Sequence, residues 1–253
     1  MLVGLSSPNF CLDSISNVLP RVAEHFNRWE IVSDLNHYLP DHQDELKALL
    51  PSYDLELSVH APFLDINIAA FTEVSRRLAV SRVESTMETA VELDAEVVTL
   101  HPGYRGPASK YDPDRAFRLN RESLERIDLK ARDLGIRPAL ENMPFEGFIL
   151  GATPQELLDM LEGLDMDICF DIGHANQTGT IEDFIPLSSR FANMHIHDNL
   201  GKKDDHLPLG EGTVGYPGVL RRILENYSGP VVIESHGVED GLVSREYLRT
   251  ERF

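Results

Sequence analysis

Cysteine is scarce: Cys11 and Cys169 are the only two in 253 residues. Two cannot build a disulfide framework, and they lack the paired spacing of a zinc finger, so a reducing compartment is the expectation. Lysine is scarce too, five against eighteen arginines, and together these bases number 23 against 42 acids. The net charge of −19 repels phosphate backbones and disfavours nonspecific nucleic-acid binding. No run approaches the roughly 18 apolar residues of a membrane span. Met1-Leu2-Val3-Gly4 lacks the basic segment and apolar run of a secretory signal, which makes a cytoplasmic location the expectation. Linkers, low-complexity tracts and charge blocks are missing as well, so no domain boundary is marked. The glycine-rich turn of a dinucleotide fold is also missing: the first apolar run leads into Ser6-Ser7-Pro8-Asn9.

What remains is a repeating alternation. Short apolar runs read as strands at Leu2–Ser6, Trp29–Ser33, Leu55–Ala61, Glu96–His101, Pro138–Asn142, Asp167–Ile172, Asn193–His197 and Val231–Ser235. They are rich in Val, Ile, Leu and Phe, as strands buried on both faces are. Amphipathic stretches at 15–26, 41–50, 71–94, 113–134, 153–163, 180–189, 216–227 and, weakly, 241–250 read as helices. Thr153-Pro154-Gln155-Glu156 carries an N-cap, a first-turn proline and a capping-box acid, while Gly135 and Gly163 fit helix stops. Eight such pairs over a length near the usual 250 or so predict a single (β/α)8 TIM barrel spanning 1–253, in preference to an open doubly wound sheet.

The strand ends carry the chemistry. His60, His101 and Glu141 close the third, fourth and fifth strands; Asp171 with His174 follows on the sixth, His195 with His197 on the seventh, and Glu234 on the eighth. In a parallel barrel these ends meet at one mouth. Any one of them alone reads as a hydrogen-bonded structural residue. Together they load an apolar fold with imidazoles and carboxylates, which needs cations, and mixed N/O donors suit zinc, manganese or iron. The loop Asp198–Gly212 adds Asp204-x-His206, a two-ligand clip held before the tight turn Gly210-x-Gly212.

The order His60, His101, Glu141, Asp171-x-x-His174, His195, Asp204-x-His206, Glu234, with the local words His101-Pro102-Gly103, Leu140-Glu141-Asn142 and Leu209-Gly210-Glu211-Gly212, resembles the endonuclease IV family within the xylose-isomerase-like barrel superfamily. The likeness runs from His60 to Glu234, about two thirds of the chain. The resemblance implies a trinuclear centre: Glu141, Asp171, His195 and Glu234 as the metal set shared across the superfamily, His60 and His101 as ligands of a second metal bridged by Glu141, and His174, Asp204 and His206 as ligands of a third.

The activity that this resemblance implies is metal-dependent phosphodiester hydrolysis, with three zinc ions and with manganese or iron as alternatives. Glu141 and Glu234 would be the catalytic carboxylates, and abasic-site DNA or a smaller phosphodiester the substrate. The alternative is a single-metal sugar or sugar-phosphate isomerase or epimerase, in which Glu141 and Glu234 move a proton beside a carbonyl. Asn142 and Asp198 are expected to orient ligand imidazoles, and His197 and His236 to stand behind the ligands or contact substrate. Phe63 and Tyr104 could wedge into a substrate or simply pack. His25, His37 and His42 receive no role. The sequence also departs from the DNA-repair pattern. Asp205 stands where an arginine is usual, the loop from His195 to Asp204 is short, and Asp34–Tyr38 offers no lysine or arginine to grip DNA.

Overall fold

A computed structural model describes residues 3–145 and 147–253; Leu2, the expected start of the first strand, lies outside them, as does Met1. Eight parallel strands run β1 (Val3–Ser6), β2 (Arg28–Val32), β3 (Glu56–His60), β4 (Val98–Leu100), β5 (Pro138–Glu141), β6 (Asp167–Asp171), β7 (Phe191–Ile196) and β8 (Val231–Glu234). They pair in chain order, and β8 closes on β1 through Val3↔Val231 to Ser6↔Glu234. The expected barrel is therefore the observed one, and the open sheet is excluded. Strands β2 and β7 are buried along their whole lengths, as continuous apolar strands covered on both faces must be.

Among the described residues the α-helices are α1 (Ile15–Ala23), α2 (Leu39–Leu49), α3 (Glu73–Glu92), α4 (Pro113–Leu134), α5 (Pro154–Leu161), α6 (Ile172–Thr178), α7 (Ile181–Phe184), α8 (Tyr216–Ile223) and α9 (Val238–Thr250). The core is a shell between these helices and the strands. Phe170 of β6, for example, stacks between Phe184 and Phe191 with ring centroids 4.9 and 4.8 Å away.

Several local expectations are refined. The 180–189 stretch breaks into α7 and a 3-10 turn, Ile185–Arg190, because Pro186 has no N–H to continue an α-helix. Thr153 caps α5 by accepting from the Glu156 N–H, but the Glu156 carboxylate turns to the Gly151 N–H and Arg105, each 2.9 Å away, instead of closing a capping box. Gly135 ends α4 at φ +69, where a residue with a Cβ would be strained. The short α6 has no counterpart among the expected helices. It starts directly at the end of β6, capped by Asp171, whose Oδ1 accepts from the His174 N–H at 2.6 Å.

Inside the barrel, below its mouth, lies a fully buried polar layer: Glu30 of β2, Ser58 of β3, Thr99 of β4 and Asn193 of β7. Strand periodicity then lifts His195 and His197, two and four residues past Asn193, onto the same inward face.

Candidate metal centre

The mouth gathers every residue assigned to it by position. His60 ends β3; its Nδ1 lies 2.8 Å from the Ala61 carbonyl, which takes up the N–H there and leaves Nε2 to face Glu141 Oε2 at 3.2 Å. His101, one residue past β4, brings its own Nε2 to 3.1 Å from the same oxygen. The two rings meet edge to face, 4.7 Å apart. The other oxygen of Glu141 turns the opposite way, 3.2 Å from His195 Nδ1. Glu234 Oε1 lies 3.1 Å from that same ring nitrogen. The carboxylate of Glu141 thus stands between two clusters, His60–His101–Glu141 and Glu141–Asp171–His195–Glu234; in each, one donor atom per residue lies within 4.8 Å of the others.

A third cluster of the same tightness joins His174, His197, Asp204 and His206. His174 Nδ1 is 2.8 Å from the Asn142 carbonyl, which directs Nε2 to Asp204 Oδ2 at 3.3 Å. His206 Nε2 reaches the same Asp204 oxygen at 3.0 Å. His206 adopts φ +47, a left-handed conformation costing about 1 kcal/mol for a residue with a Cβ. That strain is maintained where its imidazole meets the cluster.

His197 is the residue whose surroundings differ most from expectation. It is fully buried, stacked on His206 at 4.0 Å, with Nε2 3.2 Å from Asp171 and 3.3 Å from Asp204. This leaves it no face for substrate. Gly173 makes room for it, since a Cβ there would lie 2.1 Å from the His197 ring. Asn142 holds β6 as well as a ligand: its side chain exchanges hydrogen bonds with the backbone of Asp171 at 2.8 and 2.9 Å. Among the described residues no imidazole bonds to the Asp198 carboxylate, which instead accepts from the backbone N–H groups of Asn199, Gly210 and Val214. His236 sits exposed at the rim, 3.1 Å from the Asp205 carbonyl. Phe63 packs over His101 at 4.5 Å, and Tyr104 stays partly exposed beyond it.

Two residues escaped the sequence reading. Glu30 is fully buried, with Oε1 2.7 Å from His195 Nε2. An acid in the middle of the apolar run Trp29-Glu30-Ile31-Val32 was its signal. Cys169 also reaches Glu141 and His195, but burial pushes its thiol far up, so it keeps its proton.

The donor set fits divalent cations. Five buried or half-buried carboxylates, Glu30, Glu141, Asp171, Asp204 and Glu234, converge with six imidazoles. Asp171 Oδ2, Asp204 Oδ1 and both ring nitrogens of His197 are buried without a hydrogen-bond partner among the described residues. Orphaned donors and acceptors of this kind are costly unless an ion takes them up.

Burial works against every charge here; at His101 it wins and lowers the imidazole pKa, whereas at Glu141, Glu234, His174 and His206 the opposing charges prevail. His195 and His101 hold Glu141 well below the usual carboxylate range. Burial likewise opposes the Glu234 carboxylate, but His195 brings it down to about 2. Asp171 and Asp204 lift His174 well above the usual imidazole range, and Asp204 and Glu234 lift His206 to about 9. The metal-free site therefore carries imidazolium at neutral pH. A metal must displace those protons, so divalent-metal affinity should climb with pH through the range in which His206, lifted to about 9, deprotonates. Calorimetric titration in buffers of different ionisation heat counts the protons released. Heats that do not depend on the buffer would contradict this charge state.

Three comparisons bear on the chain. The profile of the family described as xylose isomerase-like TIM barrel matches residues 21–250. An uncharacterized protein of Methanocaldococcus jannaschii is 38% identical over 98% of this chain and 88% of its own length. A probable endonuclease 4 of Pediococcus pentosaceus is 26% identical over 78% of this chain and 72% of its own. Among solved structures, a D-tagatose 3-epimerase-like protein is 37% identical and superposes with a TM-score of 0.93, covering 99% of this chain and 97% of that one.

Proposed function

The chain belongs to the xylose isomerase-like TIM barrel family, and within it we propose a metal-dependent phosphodiester hydrolase that uses three divalent ions, most simply zinc. The observation that carries this reading is the pair of clusters flanking the central one. A single-metal isomerase needs Glu141, Asp171, His195 and Glu234; it has no use for His60 and His101 on one side, or for His174, Asp204 and His206 on the other. The 26% identity to a protein named probable endonuclease 4 supports the same direction.

Glu141, Asp171, His195 and Glu234 would hold the central ion. His60 and His101 would share Glu141 with a second, and His174, Asp204 and His206 would hold the third. Bound together, such ions supply a nucleophile at neutral pH and offset the charge of a phosphoryl group. Glu234, ionised because His195 faces it, orients the attacking water, and Glu141 fixes the spacing of the two sets it joins. The net charge of −19, which three ions offset only in part, and Asp205 between two cluster residues favour a small phosphodiester over a DNA duplex.

The second reading, a single-metal sugar epimerase, has one specific support: the 37% identical structure is named D-tagatose 3-epimerase-like. Glu141 and Glu234 face each other across the central set and could exchange a substrate proton.

Metal analysis of protein purified without chelator separates the two. An ion for each of the three clusters, with hydrolysis of bis(p-nitrophenyl) phosphate, is the expected result. A single ion with ketose epimerisation would overturn it. Incision of an abasic-site duplex over a salt series asks whether DNA is accepted. His206→Ala should lower hydrolysis by about a hundredfold, as the loss of one transition-state stabilising group does. In a single-metal epimerase it should leave turnover nearly unchanged, and hydrolysis unaffected by this change would refute the assignment of the third set.

A further inference from the structure

Glu30 is an acid in the floor of the barrel, without solvent exposure and beyond the reach of any substrate at the mouth. Its surroundings are built for a charge. Oε2 accepts from Ser58 Oγ at 2.8 Å and from Asn193 Nδ2 at 2.7 Å. The Asn193 amide is itself braced by Thr99 Oγ1 at 2.9 Å. Oε1 faces His195: it lies 2.7 Å from Nε2, off the line of a well-aligned hydrogen bond, and has no hydrogen-bond partner among the described residues. Asn193 Nδ2 also lies 3.1 Å from that Nε2, but its two hydrogens point to the nearer Glu30 Oε2 and Thr99 Oγ1, which leaves Glu30 as the acceptor for an Nε2 proton. The opposite ring nitrogen, Nδ1, is the one facing Glu141 and Glu234. His195 is thus gripped at both ends, by a metal-binding set above and a buried carboxylate below.

We infer that Glu30 is a positioning residue that fixes the His195 tautomer and makes the central set the tightest of the three. This rests on the metal-binding reading above. A carboxylate behind a ligating imidazole holds the proton on the far nitrogen, leaves the near nitrogen as a lone pair and raises its basicity. Charge points the same way. Glu141, Asp171 and Glu234 already converge on the central set, and Glu30 adds a fourth carboxylate behind it. The flanking sets have one carboxylate each, Glu141 on one side and Asp204 on the other. The central ion should therefore load first and be the last removed by chelator.

The test is competition for zinc against a chromophoric chelator, with the released ions counted. Wild type should retain one ion after the other two have left. Glu30→Gln keeps the size of the side chain and removes the charge. It should weaken that last ion about 10–100-fold, the usual effect of losing such a partner, while shifting the other two less than about threefold. Cobalt substitution reads the same site independently of activity, through a change in its visible absorption.

Asn193→Ala is the second variant, for use if Glu30→Gln does not fold. It frees Oε2 without removing the charge and should weaken the same ion by a few-fold. A folded Glu30→Gln protein with wild-type retention of all its ions overturns the inference. So does a variant whose metal-free form melts early while its metal affinities are unchanged, because that result makes Glu30 purely structural. Wild type that binds one ion, weakened by Glu30→Gln, sinks the trinuclear reading and with it the ranking of three sets, but keeps Glu30 as the positioning residue of His195. Wild type that binds none overturns both.

Discussion

Glu141→Ala should cost the protein two of its ions and lower phosphodiester hydrolysis at least about a thousandfold, equivalent to about 4 kcal/mol of transition-state stabilisation. The argument is geometric. Oε2 lies 3.2 and 3.1 Å from His60 and His101, while Oε1 lies 3.2 Å from His195. Among the described residues no other side chain belongs to both of these clusters. Removal therefore leaves His60 and His101 without a carboxylate and reduces the central set to Asp171, His195 and Glu234. The third cluster shares no ligand with Glu141 and should keep its ion. Metal content per chain and kcat/KM on an activated diester measure the two halves of this prediction. Circular dichroism guards against unfolding, since the imidazoles left behind are buried. A variant with its full metal complement, or one within tenfold of wild-type activity, would show that Glu141 is not the bridge.

Most of this centre can be read in the sequence because its residues sit at strand ends, and a parallel barrel sends all strand ends to one mouth. His60, Glu141, Asp171 and Glu234 are each the final residue of their strands, so period and position locate them without any knowledge of packing. The barrel closure followed from the count of alternating segments and the missing glycine-rich turn. What was not legible depended on contacts between residues distant in sequence. Glu30 meets His195 across the barrel from a separation of 165 positions, and nothing local to β2 marks that pairing beyond an acid in an apolar run. The α6 helix was missed because its seven residues, Ile172-Gly173-His174-Ala175-Asn176-Gln177-Thr178, are too short to show periodicity. It is bounded by the side-chain cap from Asp171 at one end and the left-handed Gly179 at the other. The stacking of His197 beneath His206 depends on Gly173 leaving space, a steric fact visible only once the helix is placed.

Asp198 shows how far a site can depend on a residue that no ion would touch. Asp198→Ala should destabilise the protein by about 3–5 kcal/mol, because it orphans several buried N–H groups at about 1–3 kcal/mol each. The fully buried carboxylate accepts from Asn199 at 2.9 Å, Val214 at 3.1 Å and Gly210 at 3.0 Å, so it ties together both ends of the loop 199–214. Its backbone adds two 2.8 Å hydrogen bonds to Leu207. Gly212 passes so close that a Cβ there would lie 2.1 Å from Asp198 Oδ1. Asp204 and His206 ride on this loop, and the left-handed conformation of His206 needs a firm frame on either side. Loosening the frame should release the third ion while the central set, built on the barrel strands, keeps its own. Urea unfolding and metal content report the two effects separately. Asp198→Asn, which retains one acceptor oxygen, should fall between wild type and Asp198→Ala on both. If Asp198→Ala unfolds at the wild-type urea concentration and still carries every ion, the loop is held by something other than this acid. The frame would then rest on the Leu207 pairing, the Thr213 N–H bond to the Asn199 carbonyl and the Leu209 N–H bond to Ser244.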